Sequence, residues 1–109
     1  MTVKEFSEKY GLKYLSEGED RAIEGGFCGD LLSWVMANAG ENHAWLSVMG
    51  NINAVAVASL NDVACLVLCQ GSALNRDAEQ RAKMEGINIL STQMSCFELA
   101  GKLYEDLKG

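Results

Sequence analysis

The sequence predicts a single α/β domain in which helices cover a small, mostly parallel sheet. In the second half of the chain, short apolar runs alternate with helix-forming segments in the order β-α-β-α-β-α, which is typical of such sheets. One of these runs, Ala64–Cys69, is apolar throughout, as expected for a central strand that is buried on both faces. With 109 residues, 49% of them apolar, the chain fits one domain over residues 1–109 with no internal boundary.

The first part of the chain begins with a predicted helix. Thr2 and Glu5 have the spacing of a capping box, and Gly11 suits the left-handed position after a helix. A short strand is predicted over Leu12–Leu15. An acidic loop follows it, and Arg21–Glu24 is expected to be a second brief extended piece.

Residues 25–40 predict a glycine-rich turn that opens into a helix. The turn is Gly25-Gly26-Phe27-Cys28-Gly29-Asp30, and the helix is expected from about Cys28 or Asp30 to Ala39, ended by Gly40. Its apolar residues leave only a narrow polar strip, so both sides of the helix need cover. We expect the sheet to cover one side and a second subunit the other. The dimer interface is accordingly predicted at Leu31, Leu32, Trp34, Val35 and Met36.

The remaining elements alternate. Asn51 to about Asp62 alternates as a strand might, but alanine favours helices, Asn51 is a suitable cap, and two parallel strands need a crossover helix between them. The other predicted segments are a strand over Ala44–Val48, the strand Ala64–Cys69, a helix over Asn75–Glu85 ended by Gly86, a strand over Ile87–Leu90, and a helix capped by Ser95 and running to about Leu107.

The charge and hydropathy patterns exclude several partners. Nine basic residues against fifteen acidic ones give a net charge of −6, so no positive face is expected for nucleic acid or an anionic membrane. The apolar stretches are shorter than a membrane span, and the N-terminal residues lack the apolar core of a signal peptide. The sequence therefore predicts a cytoplasmic protein.

The four cysteines do not form a metal-binding pattern. There is no Cys-x-x-Cys pair, the single histidine (His43) completes no zinc motif, and a reducing compartment disfavours disulfides. Cys65 and Cys69 are four residues apart, which places both on one face of a buried strand, where a thiol behaves as a small hydrophobe. No metal or cofactor is predicted.

Three stretches together resemble the DRTGG domain, an α/β module found beside CBS domains in some pyrophosphatases and in phosphotransacetylases. They are Gly25-Gly26-Phe27-Cys28-Gly29-Asp30-Leu31-Leu32-Ser33, Ala54-Val55-Ala56-Val57-Ala58-Ser59, and Gly86-Ile87-Asn88-Ile89-Leu90-Ser91-Thr92 followed by Ser95-Cys96-Phe97-Glu98-Leu99-Ala100-Gly101. The resemblance is strongest over residues 25–107. The chain is also similar to the N-terminal domain of HPr kinase/phosphorylase, without the kinase half.

The resemblance implies a homodimeric α/β fold with a regulatory or ligand-sensing use. The Asp-Arg-Thr-Gly-Gly motif that names the family is represented only by Glu24-Gly25-Gly26, with Asp20-Arg21 displaced upstream. A ligand role tied to the complete motif is therefore not carried over to this chain.

Two segments are candidate ligand-binding sites. The backbone N–H groups of Gly25, Gly26, Gly29 and Asp30 can cradle an anion if they open a helix, although a purely structural turn explains the same residues. The hydroxyls of Ser91, Thr92 and Ser95 follow a strand, at the edge where open α/β sheets bind ligands, and Ser95 is also explained as a helix cap. We expect the two segments to share one crevice that suits a small anionic metabolite or a nucleotide.

Two cysteines are candidates for thiol chemistry. Cys28 and Cys96 both lie near predicted helix N-termini, a position that lowers the pKa of a thiol. Neither has a base close by in sequence, and His43 is expected to be a loop or surface residue.

These observations favour a stand-alone regulatory or ligand-sensing domain that acts as a homodimer and has no complete catalytic set. Two alternatives remain at this stage. One is a small-molecule phosphoryl- or acyl-transfer enzyme that uses the glycine turn and the hydroxyl segment. The other is a thiol-based redox or metal sensor that uses Cys28 and Cys96.

Overall fold

Five strands form one sheet in the order β1-β5-β4-β3-β2, and five helices cover it, in a computed structural model that describes residues 1–109. The strands are β1 (Lys13–Ser16), β2 (Gly25–Cys28), β3 (His43–Ser47), β4 (Cys65–Leu68) and β5 (Ile89–Ser91). The helices are α1 (Val3–Tyr10), α2 (Leu32–Asn38), α3 (Ile52–Leu60), α4 (Arg76–Glu85) and α5 (Cys96–Lys108). Strands β2 to β5 are mutually parallel and β1 is antiparallel to β5, which confirms the mostly parallel sheet covered by helices.

The direction in which the sheet is built decides which helices cover each face. From β2 to β5 every new strand lies beside the previous one on the same side, and crossovers of one hand then place their helices on one face. Residues of α2, α3 and α4 accordingly pack in one core with Trp45 and Leu66. Residues of α1 and α5 pack in a second core, on the other face, with Leu46 and Val67.

Strand β4 lies at the centre of the molecule. All four of its residues are fully buried, and their side chains alternate between the two cores. Cys65 and Cys69 belong to the same core, so the prediction that both face one side of a buried strand is confirmed. A continuous apolar run is what burial on both faces requires.

Caps set the ends of most helices where the sequence predicts them. The capping box of Thr2 and Glu5 is formed, and Gly11 and Gly86 end α1 and α4 in the left-handed conformation. The side chain of Asn51 accepts the N–H of Ala54 at 2.8 Å, which begins α3 as a helix rather than a strand. None of the five helices combines the length and the hydrophobicity of a membrane span.

The region 25–40 differs from the prediction. Gly25–Cys28 is an edge strand instead of a turn, and α2 begins only at Leu32 and ends at Asn38. Ala39, not Gly40, follows the helix in an extended conformation. The short α2 is held at its end by Asn61, whose amide donates to three carbonyls of the helix terminus at 2.9–3.2 Å.

Helix α2 also turns only one side toward the core. Val35 is fully buried against the sheet, so the prediction that it lies in a dimer interface is wrong, and Leu32 is half-buried. Leu31, Trp34 and Met36 are exposed by 68%, 63% and 50%. These three remain available to a partner.

Arg21 connects the two turns that precede β3 and β4. Its guanidinium donates to the side chains of Asn42 and Asp62 and to the carbonyls of Asp62 and Val63. Asn42 and Asp62 have φ of 61° and 55°, which few non-glycine residues adopt. Arg21 therefore stabilises the two turns that lead into β3 and β4.

Replacing Arg21 with methionine should lower the free energy of unfolding by about 1–3 kcal/mol, because several polar groups lose their partner at once. Urea unfolding measures this change. The matched control is Arg81→Met, which removes a surface pair to Glu85 (2.7 Å) and should cost less than about 0.5 kcal/mol. Equal losses in the two variants would show that Arg21 is an ordinary surface residue.

Candidate functional site

The carboxyl ends of β2 to β5 lie at one edge of the sheet. This edge carries Asp30 after β2, Ser47 at the end of β3, Cys69 after β4, and Ser91 at the end of β5. In open α/β sheets a ligand crevice forms where the strand order reverses. Here the order of the parallel strands never reverses, so the sheet itself opens no crevice at this edge.

The segment Gly25–Asp30 does not cradle an anion at a helix N-terminus. Its first four residues form β2, and α2 begins two residues beyond Asp30. The Asp30 carboxylate instead accepts from Ser47 Oγ at 2.6 Å and from Val48 N at 3.0 Å. Asp30 thus joins the end of β2 to the end of β3.

The two glycines of β2 make room for neighbouring side chains. A Cβ atom on Gly25 would lie 2.7 Å from His43 Nε2, and one on Gly26 would lie 3.2 Å from a Leu103 methyl group. Gly29 donates its N–H to Leu46 O at 3.4 Å, and its carbonyl accepts from Trp45 Nε1 at 2.9 Å. His43 itself accepts the Gly40 N–H on Nδ1 at 3.0 Å. Gly25 and Gly26 therefore allow neighbouring side chains to pack closely against β2.

The three hydroxyl residues at and after the end of β5 have different roles. Ser95 caps α5 by accepting the Glu98 N–H at 3.1 Å. Ser91 and Thr92 line a shallow concavity of about 380 Å³ together with Tyr10, Gly11, Lys13, Gln93 and Met94. Thr92 Oγ1 accepts the Met94 N–H at 3.1 Å, and its hydroxyl proton stays free for another acceptor.

Lys13 supplies the positive charge of this concavity. It takes part in none of the four ion pairs of the structure. Its neighbour Lys9 is bound to Asp106 at 2.7 Å, and Tyr10 donates to the same carboxylate at 2.5 Å. Hydrogen bonds from Lys9 and Tyr10 lower the pKa of Asp106, and the bond to Asp106 raises the pKa of Tyr10.

The shared crevice expected from the sequence is not formed. Gly26 lines a separate cavity of about 160 Å³ between β2 and α5, together with Cys28, Leu46, Leu103, Tyr104 and other residues of α5. This cavity is almost wholly apolar. The two candidate segments lie at the same edge of the sheet but in different concavities.

The thiols differ from the prediction at one position. Cys96 begins α5 as expected, but Cys28 ends β2 and does not lie at a helix N-terminus. Cys28 is exposed at the surface, but partial desolvation by the groups around its thiol raises its pKa, and the nearby Cys96 and Asp30 raise it further. Burial also raises the pKa of Cys65 to about 12, and burial together with a hydrogen bond to Cys96 raises that of Cys69. No three His, Cys, Asp or Glu side chains are placed to hold a metal ion.

Comparison with known proteins gives one informative likeness. No family model matches the chain, and no curated protein matches it. The fold is similar to that of the CBS and DRTGG domains of the regulatory region of a Clostridium perfringens pyrophosphatase, solved in complex with its activator, diadenosine tetraphosphate. The TM-score is 0.72 at 10% sequence identity, over 92% of this chain and 44% of the other. This chain therefore spans less than half the length of the structure it matches.

The likeness supports a DRTGG-like fold. It does not bear on the resemblance to HPr kinase/phosphorylase, and at this level of identity it shows the fold alone. The residues that line the Lys13 concavity were only partly accessible to sequence reasoning. Ser91 and Thr92 can be predicted because they follow an apolar run of the sequence. Tyr10 and Lys13 cannot, because they come from the other end of the chain and reach the concavity through the antiparallel pairing of β1 with β5.

The four thiols should react with iodoacetamide in two groups. Cys28 is exposed and Cys96 half-buried, so both should be alkylated in the native protein at pH 8, whereas the buried Cys65 and Cys69 should be protected. Burial raises the pKa of Cys65 to about 12, so the thiol stays protonated in the native state at a pH at which the unfolded chain loses this proton. The free energy of unfolding should therefore keep this contribution below pH 9 and lose it as the pH rises toward about 12. Peptide mass spectrometry measures the labelling, with urea-unfolded protein as the control. Equal rates at all four positions in the native protein would contradict the placement of β4.

Proposed function

We propose that this chain is a stand-alone regulatory or ligand-sensing domain that acts as a homodimer and has no catalysis of its own. The observation that carries the proposal is the fold, which resembles the regulatory region of a pyrophosphatase and not a catalytic domain. That regulatory region was solved with a nucleotide activator, so a nucleotide or another small anionic metabolite is the ligand class proposed here.

The Lys13 concavity is the proposed place for that ligand. It combines a cation without an ion-pair partner, the hydroxyls of Ser91 and Thr92, and the amide of Gln93. An ammonium group and hydroxyl donors match the oxygens of a phosphate. The concavity is open to solvent, which suits a ligand that binds and dissociates as its concentration changes.

The alternatives receive less support. For a thiol nucleophile, partial desolvation raises the pKa of Cys28, whereas an activated cysteine needs a lowered pKa. For phosphoryl or acyl transfer, the glycine segment forms a strand instead of a loop around phosphate groups, and Asp30 is occupied by Ser47 and Val48.

The homodimer has support in the exposed apolar residues of α2. Leu31, which precedes α2, and Trp34, three residues further on, are exposed by 68% and 63%. Apolar side chains of this size grouped on a surface mark interaction sites.

A thermal-shift screen tests the ligand-sensing part. The probes are ATP, diadenosine tetraphosphate, sugar phosphates, and magnesium alone. A compound that binds only the folded state should raise the melting temperature by several degrees at a concentration well above its Kd.

Lys13→Met should abolish that shift, and Lys4→Met, which removes an exposed lysine from α1, should preserve it. A screen without any shift would overturn the ligand-sensing proposal. A shift retained in Lys13→Met would show that the ligand binds at another site. Turnover of the ligand, followed by phosphorus NMR, would contradict the absence of catalysis.

A further inference from the structure

The outer edge of β2 is unpaired. β2 pairs only with β3, and nothing on its other side covers the strand. Gly29 donates its N–H to Leu46 O, and backbone groups point alternately to the two sides of a strand. The N–H and C=O groups of Phe27 therefore face β3, and those of Gly26 and Cys28 point outward.

This edge lacks most of the devices that protect natural sheets from pairing. β2 contains no lysine, no proline and no bulge, and its sequence is Gly-Gly-Phe-Cys. Proteins usually protect an edge strand with such features unless another chain pairs with it. The opposite edge of the sheet is formed instead by the antiparallel strand β1.

Exposed apolar side chains lie beside β2 on both faces of the sheet. On α5, Asp106 faces α1, where it binds Lys9 and Tyr10. Phe97, exposed by 90%, and Tyr104, exposed by 67%, lie about 160–180° around α5 from Asp106. Leu107 continues this side of the helix, and the apolar cavity between β2 and α5 opens beside it.

Trp34 flanks β2 on the other face of the sheet. Met36 lies on the side of α2 that meets α3, because its neighbours on the helix surface, Leu32 and Ala39, pack in one core with residues of α3. Two residues along a helix correspond to a rotation of about 200°, so Trp34 lies on the opposite side of α2, toward the free edge. Leu31 precedes it at the start of the helix.

We propose that a second copy of this chain pairs its β2 antiparallel with this edge, which joins the two sheets into one of ten strands. The inference rests on the homodimer of the proposed function and locates its interface. Cys28 of each copy would lie opposite Gly26 of the other, with two hydrogen bonds in each pair and Phe27 opposite Phe27 on the dimer axis. A register centred on Gly26 would place Glu24 opposite Cys28 of the other copy. That pair could form only one of its two hydrogen bonds, because the N–H of Glu24 is already bound to Asn42 O.

Side chains and charges agree with this register. Gly26 has no side chain, so Cys28 of the second copy meets no obstruction beside the cavity. The register brings Glu24 near Asp30 of the second copy, but both carboxylates are turned toward their own subunit. Asp30 accepts from Ser47 and Val48, and Glu24 accepts from Asn42 at 3.2 Å.

The exposed area is of the size that a dimer needs. Aromatic side chains each bury about 150–250 Å², so the exposed parts of Trp34, Phe97 and Tyr104 amount to roughly 450 Å². A standard interface buries about 800 Å² on each partner. Leu31, Leu107 and the β2 backbone supply much of the remainder.

Light scattering with matched variants tests the location of the interface. The native chain should have about twice its mass of 11.8 kDa at micromolar concentration. Trp34→Glu and Tyr104→Glu should each raise the dissociation constant of the dimer at least about tenfold, because each places a charge in the centre of the interface. The controls Met36→Glu and Met84→Glu also add a charge at exposed apolar positions, on the far side of α2 and on α4, and should leave the constant within about twofold.

The outcomes separate the two proposals. A monomeric native chain overturns both the homodimer and the edge pairing. A dimer that is insensitive to Trp34→Glu and Tyr104→Glu, or that is weakened by Met36→Glu instead, overturns the edge pairing and leaves the homodimer.

Cross-linking tests the register. Residues opposite each other in a non-hydrogen-bonded antiparallel pair have Cα atoms about 4.5 Å apart, within the range that a disulfide spans. Phe27→Cys in a Cys28→Ser background should therefore form a covalent dimer with oxidised glutathione, which takes up two electrons and two protons from the two thiols and leaves as two glutathione molecules. Met84→Cys in the same background should remain monomeric on a non-reducing gel. A Phe27→Cys chain that is folded by circular dichroism but does not cross-link overturns the register; if it does not fold, the light-scattering variants decide the location.

Discussion

The burial of β4 on both faces is the constraint on which the architecture depends. A strand in this position must be apolar along its whole length, and its backbone groups must be bonded to strands on both sides. β3 and β5 provide those bonds, and the helices that connect the parallel strands fall on one face. The other face is left to α1 and α5. The sheet keeps two edges: β1, which carries Lys13 and a bulge, forms one beside β5, and β2 forms the other.

Much of this architecture follows from local sequence signals. The caps at Thr2, Asn51 and Ser95 were recognisable because each side chain satisfies a backbone N–H group a few residues ahead. The unbroken apolar run of β4 was recognisable from its length and composition. These signals depend only on residues close together in the chain.

The region 25–40 could not be predicted in the same way. Gly25 and Gly26 suggest a turn, yet here they pair with β3 as a strand, and His43 and Leu103 occupy the space that their side chains would take. The bond between Asp30 and Ser47 links positions 17 residues apart, and no local pattern announces it. The concavity of Lys13 and Ser91 likewise depends on the pairing of β1 with β5, which joins distant parts of the sequence. Tertiary contacts decide these features, so local propensity fails there.

The proposed ligand concavity and the β2 edge lie at different parts of the sheet. The concavity lies at the edge of β5 and β1, and three strands separate it from the outer side of β2. Helices α1 and α5 connect the two regions, because Lys9 and Tyr10 of α1 are bound to Asp106 of α5 and Tyr10 also lines the concavity. A ligand with different affinities for two arrangements of α1 and α5 would thereby bias the subunit contact, which is how a domain without chemistry regulates a partner.

Amide hydrogen exchange at Gly26 and Cys28 tests the open edge most directly. Nothing within one chain accepts these two N–H groups, so a single chain leaves them to exchange with solvent as freely as those of an exposed strand edge. If β2 pairs with a second copy, both amides should exchange slowly at high protein concentration and faster on dilution below the dissociation constant of the dimer, with the amides of β4 slow throughout. Fast exchange of Gly26 and Cys28 at every concentration at which the chain is dimeric would contradict this pairing.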